Sequence, residues 1–419
     1  MNMSFEKTFA ALGEPCSSET VQKRWPFAMA VMPAAIPEFL RDEYVREARA
    51  YCGLEEADEP LLLGAADRIR RTPALLAFAW YVFWRLFVDN APADGGEADK
   101  WPKLQPALGD QAGCLYVLAA LGWVPLVRLY HRTLGVADDA VTRNTCLQVG
   151  SFVDNHKRAT GRLGIFSQIT WLQHYLHQPY FRIGRLEFWK KPNEPGPEVF
   201  RRRGTLETLA LAPDGIAFSP EGLIDPPESA VGWRSALVRT ADTVTGTPIS
   251  PEGRAENRTI TLALADWECI LKPGDMILDM HIPAGGRMTL EACAESFRGA
   301  KEFFARQFPC MPARAIICRS WIFSPNLPEF LPPDSNLVRF MEECHTFPIG
   351  WGRRSGLWFV FFQDKFDPAT VPRRSRLQRA MAEHLEKGGD LRAGGMFYML
   401  DDVGRFGTRL YRGAGRARL

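Results

Sequence analysis

What is missing narrows the reading first. No charge sign is in excess: 51 Lys and Arg stand against 49 Asp and Glu, a formal net charge of +2. That balance gives the whole chain no general attraction to nucleic acid or to an anionic membrane, and neither is expected as a partner. The nine cysteines are scattered, with no C-x-x-C pair and no zinc-type cluster. An odd number in a large chain argues against a disulfide framework. It leaves small buried thiols, as in a reducing cytoplasm. Glu6 and Lys7 interrupt the region where a secretory signal needs an apolar core, so none is expected. Long apolar runs are scarce too. TPALLAFAWYVFW (72–84) is too short to span a bilayer, and QAGCLYVLAALGWVPLV (111–127) reaches only the lower limit. Gly122 and Pro125 break the second run and Arg128 closes it, so a buried helix hairpin is expected. The P-loop, the G-x-G-x-x-G fingerprint and the G-x-S-x-G elbow are absent. No repeat of fixed period is present.

What is present divides the chain near residue 178. Residues 1–178 read as helices, with apolar positions at three- and four-residue spacing in stretches such as AAIPEFLRDEYVREARAYCGL and DAVTRNTCLQVGSFVDNHKRATG. Residues 179–419 change character. YFRIGRLEFW is strand-like, and a loop-rich stretch of about 190–256 reads as short strands joined by long turns. Strands are then expected at 258–264, 276–282, 314–323, 356–362 and 395–400. Helices are expected at 265–271, 290–308, 335–345 and 375–387. This is an α+β two-domain chain: an all-helical N-terminal domain, then an α/β domain with a sheet flanked by helices. The last seventeen residues, VGRFGTRLYRGAGRARL, carry five Arg and no acid, and are expected to form a solvated tail.

The stretch ILDMHIPAGGRMTLEAC, 277–293, holds the chemistry. Alternation puts Met276, Leu278, Met280 and Ile282 on one strand face and Asp279 and His281 on the other. Two titratable side chains on a central strand are unusual, although a structural pair bonded to each other would explain them equally well. Next, Ile282, Pro283, Ala284, Gly285, Gly286, Arg287, Met288 and Thr289 break the strand. Thr289 suits a helix N-cap. Two glycines, a cation and free helix N–H groups suit a pyrophosphate, although a plain turn would read the same. On the next strand Ile316, Cys318 and Ser320 share a face. Cys318 has no base beside it and reads as a buried thiol. His174 and His177 form H-x-x-H with no further ligand in view, and no metal is expected.

GDMILDMHIPAGGRMTLEACAESFRGAKEFFARQFP, followed by AIICRSWIFSPNLPEFLPPDSNLVRF, resembles the C-terminal half of a bacterial acyltransferase family. QPYFRIGRLEFW, GCLYVLAALGWVPLVRLYHRTLGV and SRLQRAMAEHLEKGGDLRAGG extend the resemblance over most of the chain. That family joins a helical N-acyltransferase N-terminal domain to a GNAT-like C-terminal domain. The resemblance implies a GNAT-type mixed sheet and an acyl-coenzyme A, acetyl or longer, as co-substrate. The donor would lie where the fourth strand (276–282) and fifth strand (314–323) splay apart. Its pyrophosphate would rest on Ile282–Thr289, and its thioester would be polarised by backbone N–H groups near Ile282. Asp279 and His281 become candidates for the base that deprotonates an amine acceptor, a small molecule or peptide. The GNAT loop pattern R/Q-x-x-G-x-G/A is not present, and helix 335–345 lacks the Tyr that often protonates the leaving thiolate. Ser320, Cys344 or a water would replace it. These departures also suit a non-catalytic GNAT-fold binding module, and Cys318 leaves a hydrolase as a third reading.

Overall fold

A computed structural model describes residues 3–224, 232–352, 354–363 and 365–413. Two compact units form: the chain up to Ile183 with Pro283–Gly285, and Gly184–Ile282 with the chain from Gly286.

The first unit is built of helices around Pro73–Phe87 and Cys114–Leu121. Leu75, Phe78, Tyr81 and Val82 of the former, and almost all of the latter, are buried. The expected hairpin appears as Cys114–Leu121 and Val124–Thr133, turned at Gly122 and Trp123, with Pro125 in the first turn of the second helix. By length and composition Cys114–Thr133 could cross a membrane, but most of it is buried within the protein. The longest helix, Asp139–Thr160, starts at the Asp138 cap and stops at Gly161. Arg85 is buried between two buried carboxylates: Nη2 lies 2.6 Å from Glu97 Oε2 and Nη1 3.4 Å from Asp89 Oδ2, and the same guanidinium donates to the Ala91 and Pro92 carbonyls. These bonds tie down the turn after the central helix, and they are needed, since a lone charge there would be costly.

The second unit is organised by a mixed sheet. Within it the strand order runs Leu186–Pro192, Met276–His281, Ala315–Ser320, Gly394–Met399, His345–Pro348. Met276–His281 and Ala315–Ser320 are parallel, and their neighbours are antiparallel. Helix Leu290–Gln307 makes the parallel crossover. Its Phe297 meets Phe188, Phe340, Tyr398 and Phe406 at ring separations of 5.1–6.4 Å, which covers the face of Leu278 and Met280. The loop-rich region folds as short strands, as expected, but they assemble into small sheets. Trp267–Leu271, Glu198–Arg202, Thr208–Leu211 and Pro248–Ile249 form one, and Ile260–Ala263, Thr243–Gly246 and Leu237–Arg239 form another. Phe200, Leu209, Leu211, Val244 and Leu262 make their common core.

Three expectations are corrected. Residues 267–271 form a strand rather than part of a helix, because Glu198–Arg202 supplies a distant partner. Gly356–Phe361 is a helix, not a strand. Its Leu357, Val360 and Phe361 fall at helical spacing and are buried with Met381 and Leu391. The strand it displaces is His345–Pro348, fully buried on the sheet edge. The basic tail is exposed at Arg405 and 407–409 but is anchored at Leu410, Tyr411 and Arg412. Glu343 Oε2 accepts from the N–H groups of Gly407 (2.8 Å) and Arg409 (3.0 Å), and Tyr411 is buried with its hydroxyl on Asp402. Residues 414–419 of the expected tail lie outside the described residues.

Candidate active site

The two parallel strands part company halfway along. Ile277, Leu278 and Asp279 pair with Ala315, Ile316 and Ile317, and the ladder goes no further. Met280 and His281 nevertheless stay paired with Phe188 and Glu187 on one side. Cys318, Arg319 and Ser320 stay paired with Met396, Gly395 and Gly394 on the other. Each strand is therefore held by its outer neighbour while the gap between them opens. Such a wedge exposes strand N–H and C=O groups that an extended ligand can bond.

The loop beyond the wedge is built by its glycines. Gly285 and Gly286 have φ of +79° and +63°, a left-handed conformation that disfavours other residues. A Cβ on Gly286 would also stand 3.2 Å from Arg185 Nε. Thr289 then caps helix Leu290–Gln307, its Oγ1 accepting from Ala292 N–H at 3.3 Å. Arg287 is exposed on the same loop. Sequence reasoning missed Arg185, the second cation beside Gly286. It follows the Gly184 turn, and its N–H donates to Ser296 Oγ of the helix at 2.8 Å. The first turn already carries one anion. Glu291 is exposed, and bonds from its own N–H and the Thr289 hydroxyl hold its carboxyl below the ordinary pKa.

Asp279 and His281 do share a strand face, but each has a different partner. His281 Nδ1 lies 2.9 Å from Oε2 of Glu187, which is completely buried, while the imidazole is 31% exposed. A carboxylate accepts, so Nδ1 carries the hydrogen and Nε2 is left as the basic nitrogen. Asp279 Oδ2 lies 2.8 Å from Lys191 Nζ. Burial raises the Asp279 pKa, and Lys191 only partly offsets this. Burial also works against the Lys191 charge, but hydrogen bonds to Asp279 and Glu194 outweigh it and the pKa rises. Asp279 is thus committed to a cation and His281 to a carboxylate, rather than to each other.

The other candidates fall elsewhere. Ser320 belongs to the opposite face, with Ile316 and Cys318, and its Oγ accepts from Ile322 N–H at 3.3 Å. The structure does not bring it to Asp279 and His281. Cys318 and Cys344 are buried, and burial pushes both thiols far up. That is the opposite of what a thiolate nucleophile needs. His174 and His177 sit on one short helical turn. Among the described residues no third His, Cys, Asp or Glu joins them.

Two family models match. The GNAT-like C-terminal domain covers residues 180–397, and the N-acyltransferase N-terminal domain covers 43–177. Three solved structures illustrate the likeness. An acyltransferase in complex with decanoyl-CoA and teicoplanin is 22% identical with a TM-score of 0.61, over 95% of this chain and 100% of that one. An acyltransferase mutant in complex with octanoyl-CoA is 22% identical with a TM-score of 0.58, over 95% and 99%. An acyltransferase in complex with CoA and 10C-teicoplanin is 23% identical with a TM-score of 0.59, over 95% and 100%. At these identities the likeness is one of fold. No curated protein matches the chain. With the first model spanning more than half of its length, the chain belongs to the family that carries the GNAT-like C-terminal domain, here preceded by an N-acyltransferase N-terminal domain.

Proposed function

We propose that the protein transfers an acyl group from acyl-coenzyme A to an amine, and that His281 is the base. The observation that carries this is the wedge between Met276–His281 and Ala315–Ser320. It suits an extended pantetheine arm, and the loop 282–289 and the capped helix lie just beyond it. In this reading the pyrophosphate takes the first-turn position that Glu291 now fills, with Arg287 and Arg185 beside it. The amine nitrogen attacks the thioester carbonyl carbon and the C–S bond breaks. The amine proton passes to His281 Nε2, and the imidazolium returns it through water to the departing thiolate, which leaves as the thiol. Backbone N–H groups near Ile282 polarise the carbonyl. Asp279 acts on Lys191 and not on the amine. Ser320 keeps its capping bond.

The solved structures with octanoyl- and decanoyl-CoA make medium-length chains the donors to try beside acetyl. We place the protein in a bacterial cytoplasm, where nine free thiols would stay reduced. Coenzyme A should raise the melting temperature, and Gly286→Glu should abolish the rise, since it sets a carboxylate where the phosphates belong. No shift with coenzyme A or with acetyl-, octanoyl- or decanoyl-coenzyme A overturns the proposal. A second reading, a non-catalytic binding module, draws on the lack of a Tyr in Asn336–Glu343. Coenzyme A binding without amine-dependent thiol release would favour it.

A further inference from the structure

We infer that the acceptor carries a carboxylate, and that Lys191 and Arg319 are the residues that receive it. The inference rests on the acyl-transfer reading, because it assigns the acceptor of that reaction. On the sheet face of His281 four charged groups form one chain of contacts. Asp279 Oδ2 lies 2.8 Å from Lys191 Nζ, Lys191 Nζ lies 2.5 Å from Glu194 Oε1, and Glu194 Oε2 lies 3.6 Å from Arg319 Nη1. Glu194 therefore lends one oxygen to each of two cations. This is how a free carboxylate would be held between them.

The four groups are not equivalent. Lys191, Asp279 and Arg319 are largely buried, whereas the Glu194 side chain is 54% exposed. The first three stand on strands. Glu194 stands in the Asn-Glu-Pro-Gly turn that begins where Leu186–Pro192 ends. The cations are backed by rings, with Lys191 Nζ 4.9 Å from the Trp189 centroid and Arg319 Cζ 5.9 Å from that of Phe347. Lys191 also keeps Asp279 as a partner that does not depend on Glu194. Two cations face two anions, so the cluster is neutral. If Glu194 swings out, one largely buried positive charge is left without a counter-ion, and that is unfavourable. A substrate carboxylate restores neutrality in the same geometry. Glu194 is then an internal stand-in for the acceptor, exchanged for it on binding. Lys191 holds Glu194 below the ordinary carboxylate range, which agrees with a site tuned for a negative group.

Length adds a restriction. Asp279 and His281 are two residues apart on one strand, about 6–7 Å. An amine at His281 Nε2 and a carboxylate at the cations must be separated by a similar reach. Linear ω-amino carboxylates of increasing length, each with its amide, are the probes. Binding is read by calorimetry, and acyl transfer by thiol release from acetyl- and decanoyl-coenzyme A. The acid should bind better than its amide, by about tenfold at the best length. Glu194→Gln removes the internal competitor and should tighten the acid by a further factor of about ten while leaving the amide unchanged. Arg319→Gln should bring the acid down to the level of the amide. Acid and amide that bind equally in both the wild type and Glu194→Gln overturn the inference. The coenzyme A melting shift separates the two levels. If it is present while acid and amide are equal, only the carboxylate site fails. If it is absent, the acyl-transfer reading fails.

Discussion

A histidine with one ring nitrogen committed to a buried carboxylate has the role of its other nitrogen defined. Glu187 does this for His281, and the expected cost of losing each differs. His281→Ala removes the base and should lower kcat by about 10²–10⁴. Glu187→Gln keeps the shape and a hydrogen bond but not the charge that would balance the imidazolium formed during transfer. It should lower kcat by about ten- to a hundredfold with the KM for acyl-coenzyme A unchanged. Steady-state kinetics of the two variants decides this. A Glu187→Gln enzyme with wild-type kcat would reduce Glu187 to a packing residue. Asp279 and His281 were legible as candidates because strand alternation alone puts them on one face. Their partners were not, because Glu187 lies 94 positions from His281 and sequence periodicity carries no information across that distance. Arg185 was hidden for the same reason, since nothing near it in sequence points to Gly286.

At the scale of single elements, helix Leu290–Gln307 was the most readable. Its cap, its apolar stripe and its glycine loop all agree with one another, and agreement between local signals is what makes an element legible. The short apolar run GLWFVFF was the least readable, because four to eight apolar residues fit a buried strand and a buried helix equally. Only the packing of Val360 and Phe361 against Met381 decides it. The Thr289 cap carries a prediction at this scale. Thr289→Ala frees the Ala292 N–H and should cost about 1 kcal/mol. That is a drop of about 2–4 °C in the melting of the second unit. Glu291 also loses the Thr289 hydroxyl, so its carboxylate is held less firmly at the helix start. The same variant should therefore change coenzyme A affinity as well as stability. Differential scanning calorimetry with and without coenzyme A measures both. An unchanged melting temperature would mean that the helix start is fixed by the loop rather than by its cap.

The organisation of the whole chain was legible from composition: helices first, strands and helices after. The extent of the small sheets between Glu198 and Leu271 was not, since their strands are short and pair across long intervals. Acid sensitivity is a property at this scale, and His131 predicts part of it. The ring is fully buried in the first unit, with Nδ1 2.9 Å from Thr142 Oγ1 and the Phe181 ring at 4.7 Å. Burial pushes its pKa down from 6.5 to about 4, with the Tyr180 backbone carbonyl opposing only in part. Between those values the unfolded chain binds a proton that the folded chain refuses. Stability must then fall as pH falls through that window and be fully recovered above it. The loss from this one group approaches about 3 kcal/mol at the lower end. Denaturant unfolding of the first unit, followed from pH 7 to 4, should show this slope. His131→Gln should lower stability at neutral pH, because a buried ring is lost, yet flatten the slope. Parallel slopes in the two proteins would assign the acid sensitivity to carboxylates instead, with His131 already protonated when folded.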